Sequence, residues 1–115
     1  MPESFERGAL TEATFLILVS LFEPRHGYAV IKNIQSLTGG RVRLGAGTLY
    51  GALGLLAEKG WIASEGGDER KKYYRATEGG KYAVIAEMDR LMELLAIGKR
   101  VVLDGDGYET RGRGN

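Results

Sequence analysis

A mainly α fold, built of three short helices, a two-stranded β hairpin and one long last helix, is predicted by three observations. Apolar residues recur at helical spacing in successive segments. Two runs of strand formers flank a polar, glycine-bearing loop at 66–71. Beyond Thr77 the apolar series keeps spacings of 4, 3, 4 and 7, close to a heptad seam.

Each element has its own local cause. Thr11 can cap a first helix over about Glu12 to Phe22, apolar on nearly every face and so expected to be buried all round, until Glu23 and Pro24 stop it. Gly27 opens a second helix, in which Val30, Ile31, Ile34 and Leu37 form an amphipathic stripe that Thr38, Gly39 and Gly40 end. Arg41, Val42, Arg43 and Leu44 alternate polar and apolar, the pattern of a short strand. A third helix runs from about Ala46 to Lys59, with Leu49, Leu53 and Leu56 inside, Ala52 beside them and Gly60 as its stop. Its outer face carries Thr48, Tyr50, Gly51, Gly54 and Leu55. Trp61 to Glu65 and Lys72 to Ala76 make the hairpin. Thr77 caps the long helix, whose seam is Val84, Met88, Leu91, Leu95 and Val102, with Gly98 at the missing seam position. From Asp104 to Asn115 the pattern dissolves into Asp-Gly and Arg-Gly pairs, read as a disordered tail. Its Arg111 to Gly114 run is either a fragment of an RNA-binding repeat or an inert end.

Composition excludes several functions before any motif is read. With 115 residues, 43% of them hydrophobic and 27% charged, the chain has the size of one soluble domain, small enough that oligomerisation is expected. The absence of cysteine removes disulfides, thiolate nucleophiles and zinc-thiolate sites, which suits a cytoplasmic location. A single histidine, His26, leaves a metal centre or a histidine-based triad without its parts, so neither a metal nor a cofactor is expected. The longest unbroken apolar run, Phe15 to Val19, falls far short of the roughly 20 residues that cross a bilayer, and residues 1–8 lack the apolar stretch of an export signal. Charge is unevenly spread. Nine basic against four acidic residues between Arg25 and Arg75 give that segment +5 within a net charge of +1. A basic centre between acidic ends is one electrostatic expectation for a nucleic-acid reader.

Three helices followed by a hairpin with basic residues is the order of a winged helix-turn-helix, to which the long helix is an addition. In such a domain the third helix enters the major groove, about 12 Å wide, while the hairpin wing touches backbone or minor groove. The residues here also resemble a known family, the PadR-like transcriptional regulators, in its short form with one C-terminal helix. The likeness covers about Leu10 to Val102 and rests on three blocks in order. These are His26, Gly27 and Tyr28; then Gly47, Thr48, Leu49, Tyr50 with Ala52, Leu53, Leu56, Gly60 and Ile62; then Arg70 to Glu78 and Gly80. The resemblance implies a dimeric DNA-binding repressor, released by a small aromatic or amphipathic ligand. Family members often carry proline at the position of Ala46 and basic residues at those of Gly54 and Leu55, so DNA contact here leans on Thr48, Tyr50 and the wing.

Other residues admit two readings. Gly45, Ala46 and Gly47 do not space as a nucleotide-binding loop; they either open backbone N–H groups to a DNA phosphate or simply start a helix. His26 touches phosphate or closes the turn after Pro24, the turn being preferred. Tyr73 and Tyr74 are strand neighbours, so one faces the core and the other DNA; Tyr74 is taken with the DNA set. Trp61 is read as core. Met88 and Met92 are helix packing or, with Leu95, an adaptable ligand surface between two long helices.

The reading that results divides the chain into a winged helix-turn-helix over 8–77, a dimerisation helix over 78–103 and a tail over 104–115. Its DNA set is Gly47, Thr48, Tyr50, Gly51, Arg70, Lys71, Lys72 and Tyr74. Its ligand set is Met88, Met92 and Leu95, and its dimer seam Val84, Met88, Leu91, Leu95 and Val102. The partners are double-stranded DNA with a palindromic operator, a second copy of the chain and a small-molecule effector, without a membrane. The competing reading is an interaction adaptor of the same fold that does not read DNA; an enzyme is disfavoured because no paired carboxylates or phosphate loop are present.

Overall fold

The computed structural model describes residues 9–68 and 70–104. The tail after Asp104, its Arg-Gly run and the first eight residues lie outside them. Helix α1 spans Glu12–Ser20, β1 Arg25–His26, α2 Gly27–Leu37, α3 Ala46–Glu58, β2 Ile62–Gly67, β3 Lys72–Ala76 and α4 Glu78–Gly98; a π-helical turn, Lys99–Leu103, continues α4.

Three of the four helix starts follow the side chains that cap them, and α3 starts at Gly45 without one. The Thr11 hydroxyl accepts from the Thr14 N–H at 3.1 Å, and the Thr77 hydroxyl from the Gly80 N–H at 3.2 Å. His26 does the same for α2, its Nδ1 accepting from the Ala29 N–H at 3.3 Å while its ring meets Tyr73 edge-on at 5.4 Å. It therefore closes the turn after Pro24 and caps the helix. Helix α2 ends where Gly39 and Gly40 take positive φ, and α3 ends at Gly60 for the same reason.

Ile17, Leu18, Leu21, Val30, Ile34, Leu49, Leu53, Leu56, Ile62, Ala76 and Val84 form one core. Two helical expectations need correction. Helix α1 is not buried all round: Phe15 and Leu16 are only half-buried and border an open cavity of about 380 Å³ lined also by Leu10, Leu91, Glu12, Glu87 and Arg90. Leu37 leaves the α2 stripe and is 56% exposed, at the last residue of the helix.

The sheet has three strands in the order β1-β3-β2, all antiparallel, where the sequence suggested two plus a short strand at 41–44. Residues 41–44 form no strand. The Thr38 hydroxyl accepts from the Val42 N–H at 3.0 Å, Arg43 Nε donates to the Gly40 carbonyl at 3.1 Å, and Arg41 pairs with Glu12, so local bonds hold the segment as a loop. The third strand is Arg25–His26, paired at Arg25↔Tyr74 and His26↔Tyr73. Trp61 immediately precedes β2, half-buried against the core, with Lys59 Nζ 5.0 Å from its ring centroid.

Helix α4 changes character along its length. Gly80, Val84 and Glu87 are buried against the domain. Glu87, 4% exposed, receives Arg90 Nε at 2.9 Å and the Leu10 N–H at 3.3 Å, which ties the chain before α1 to the helix. These bonds, the Arg90 pair first, hold its carboxyl below the ordinary glutamate range against the opposing effect of burial. From Met88 onward the large apolar side chains are exposed, Leu95 by 60% and Val102 by 46%.

Candidate nucleic-acid interface

The β2–β3 hairpin is shaped by its own tip. Asp68 Oδ1 accepts from the backbone N–H groups of Arg70 at 3.0 Å and Lys71 at 2.8 Å, and the Asp68 N–H returns a bond to the Lys71 carbonyl at 3.1 Å. Gly67, at φ 102°, makes the bend possible: a Cβ there would stand 2.2 Å from the Lys71 carbonyl oxygen. The turn spends its one described carboxylate on backbone amides. Among the described residues, no ion pair takes up Arg70, Lys71 or Lys72. Further down the hairpin Arg75 is paired with Glu65 at 2.5 Å.

These three cations border an open cleft of about 400 Å³. Its other walls are His26, Gly27 and Tyr28 at the start of α2, Tyr50 from α3, and Tyr74 from β3. The cleft thus joins wing, second helix and third helix, with cationic tips above and phenol and imidazole rings around. Among the described residues, no carboxylate lines it. Such a lining attracts an anion and offers hydroxyl donors to its oxygens.

Five of the residues assigned to DNA from sequence, Tyr50, Arg70, Lys71, Lys72 and Tyr74, meet in this cleft. Gly47, Thr48 and Gly51 lie beyond it on the exposed side of α3, opposite the buried Leu49, Leu53 and Leu56. Tyr73 and Tyr74 are both half-buried; Tyr74 packs on the core and still reaches the cleft wall, whereas Tyr73 is spent on His26. His26, Gly27 and Tyr28 were not placed in the DNA set. The turn after Pro24 was their signal, because it brings β1 beside β3 and hence the start of α2 under the wing.

On α4 the seam must be corrected at one end. Val84 is 3% exposed and belongs to the core of its own chain, packed beneath α1 and the sheet, so it is not available to a partner. Met88, Leu91, Leu95 and Val102 are exposed. Leu95 borders a shallow apolar groove of about 330 Å³ with Leu94, Gly98, Val102 and Leu103; Met88 and Met92 do not line it. No helix among the described residues is long and apolar enough to cross a membrane, and none of their His, Asp or Glu side chains cluster in threes as metal ligands do.

Comparison with known proteins agrees with this architecture. Residues 16–86 match the family model described as transcriptional regulator PadR-like family. A transcriptional regulator from Clostridium thermocellum is 25% identical and superposes with a TM-score of 0.68, over 82% of this chain and 99% of that one. A PadR family transcriptional regulator from Eggerthella lenta is 32% identical, with a TM-score of 0.60 over 75% of this chain and 76% of that one. A PadR-like transcription factor from Bacteroides fragilis shares the fold at 22% identity, with a TM-score of 0.67 over 88% and 97%. No curated protein matches the chain.

Proposed function

The chain belongs to the PadR-like family of transcriptional regulators, and from that premise we propose that it is a homodimeric cytoplasmic repressor, released from a palindromic operator by a small apolar or aromatic ligand. DNA binding and transcription regulation are the business of the family; no residue is assigned a catalytic role. The observation that carries the reading is the cleft that gathers Tyr50 with Arg70, Lys71 and Lys72. Phosphate contacts set affinity and base-edge contacts set sequence choice, so the two sets of residues are separable. The wing cations, with Tyr50, grip the backbone. Thr48 and Gly51, on the open side of α3, face the base edges.

The second copy enters through α4. Met88, Leu91, Leu95 and Val102 are exposed, and no helix among the described residues covers them. Pairing two such helices creates an apolar seam, and the effector binds there, near Met88, Met92 and Leu95. Some family members that bind flat aromatic drugs place a tryptophan on this helix; it has none here, so stacking should be weaker. Titration with planar dyes tests the placement: Met88→Ala and Met92→Ala should weaken binding, and tight binding unaffected by both moves the effector elsewhere.

The DNA mechanism is tested by a salt series on operator and scrambled duplexes. Lys71→Ala removes one phosphate contact per protomer, so the log-log slope should fall by up to about 1.8 in a dimer, at roughly 0.9 per contact. Preference among sequences should barely change. Thr48→Ala should instead relax preference at one base position in each half-site, by about 1–3 kcal/mol. If neither variant alters DNA binding, the adaptor reading replaces this one.

A further inference from the structure

Gly27 is buried at the first position of α2, yet its backbone does not need glycine: its φ is not positive. What it provides is room. A Cβ built on Gly27 would stand 2.2 Å from the Tyr50 hydroxyl oxygen and 2.6 Å from the ring carbon that bears it. The end of the Tyr50 phenol therefore rests directly on the Gly27 backbone, and nothing else lies within the same distance of that position. Tyr50 is otherwise 51% exposed, so the Gly27 backbone is where the end of a largely solvent-facing side chain rests.

We propose that Gly27 is a positioning residue for DNA binding: it seats the Tyr50 hydroxyl in the cleft between α2 and the wing, where that hydroxyl donates to a backbone phosphate held by Lys71. The inference rests on the DNA-binding reading above and assigns Gly27 a role in it. A phosphodiester suits the place by charge, since Arg70, Lys71 and Lys72 border the cleft and, among the described residues, no carboxylate does. It suits it by donor chemistry as well, since a phenol hydroxyl is the kind of group that bonds a phosphate oxygen without altering its charge.

The geometry makes the test clean. Alanine is a better helix former than glycine, and the atoms it would strike are the far end of an exposed side chain that can swing away. Gly27→Ala should fold and melt like the parent while displacing the phenol. Because a hydroxyl bond releases no counterion, Tyr50→Phe should weaken operator and scrambled DNA alike, by about tenfold per half-site, as a parallel shift of the salt line with its slope kept. Gly27→Ala should reproduce that shift, and Gly27→Ala combined with Tyr50→Phe should bind no worse than Tyr50→Phe alone. Additive losses, or a Gly27→Ala protein that binds like the parent, overturn the proposal. If Gly27→Ala does not fold by itself, the same change in a Tyr50→Ala background must fold and bind like Tyr50→Ala; failure there overturns it too. Loss of DNA binding by the parent protein would instead count against the DNA-binding reading, and a normal response of Lys71→Ala beside a silent Tyr50→Phe would count against this inference only.

Discussion

Gly80 and Gly54 have the same side chain and predict opposite responses to an added methyl group. A Cβ on Gly80 would lie 2.1 Å from the Trp61 carbonyl oxygen, and that oxygen cannot retreat because it accepts from the Thr77 N–H at 2.9 Å. Gly80→Ala must therefore force the start of α4 away from the start of β2, at a cost of about 1–3 kcal/mol. Gly54 faces open space in the interior of α3, where alanine saves backbone entropy. Gly54→Ala should stabilise the protein by about 0.5–1 kcal/mol. Urea unfolding of both variants measures the two signs, and equal effects would show that the contact at Trp61 does not exist. Both glycines stand in the sequence without distinction. One belongs to the motif that ends in Thr77, Glu78 and Gly80, but only the neighbouring backbone reveals that its role is close approach.

Elements defined by local chemistry were legible from sequence, and those defined by distant partners were not. Helices α1 to α4 announced themselves through Thr11, Gly27, Gly60 and Thr77, because caps and stops act within a turn of the residue that makes them. β1 was missed since two residues carry no alternation, and its strand character comes from Tyr73 and Tyr74 far along the chain. The alternating 41–44 segment misled for the converse reason: it has the pattern of a strand, but bonds to the Thr38 hydroxyl and the Gly40 carbonyl hold it as a loop. The same gap hid half of the cleft, as the start of α2 reaches the wing only through β1. The link between α1 and α4 is another distant partnership, made by buried Glu87, Arg90 and the Leu10 N–H. Its energetics have a defined pH sign. The folded carboxyl titrates below its ordinary value of 4.5, so the stability it adds is complete above that value and is lost as pH falls through the lower folded pKa. Glu87→Gln should lower stability by about 1–2 kcal/mol at neutral pH, Arg90 being partly solvated, and the gap from the parent should close in acid. Thermal melts from pH 7 downward measure it; a gap that does not change with pH would mean that the charge on Glu87 contributes nothing.

At the scale of the whole molecule, the far half of α4 and the π-helical turn after it carry the apolar surface that the proposed dimer would cover. Met88, Leu91, Leu95 and Val102 lie along one side, with Leu94 and Val101 on its flank, all exposed by more than two-fifths. An apolar stretch of this extent marks a protein contact, and the heptad-like spacing fits a second helix of the same kind. Val84 limits the proposed contact at one end, because it is already used by the core and Met88 is the first seam residue left exposed. Leu95→Asp is the sharpest test. Leu95 is 60% exposed in the single chain and not part of the core, so aspartate there leaves the domain folded, whereas in a paired seam it would bury an unpaired charge. The expected product is a folded monomer by sedimentation, with the circular dichroism of the parent. Losing the pairing has a consequence for DNA. Two half-sites about 34–36 Å apart are read by one dimer, and when the second protomer is no longer tethered its binding loses the advantage of a raised local concentration. Leu95→Asp should therefore bind a palindromic operator with the affinity and the salt slope of a single half-site, near half the parent slope. A Leu95→Asp protein that sediments as a dimer and keeps the full slope would place the dimer interface elsewhere and return the apolar end of α4 to another partner.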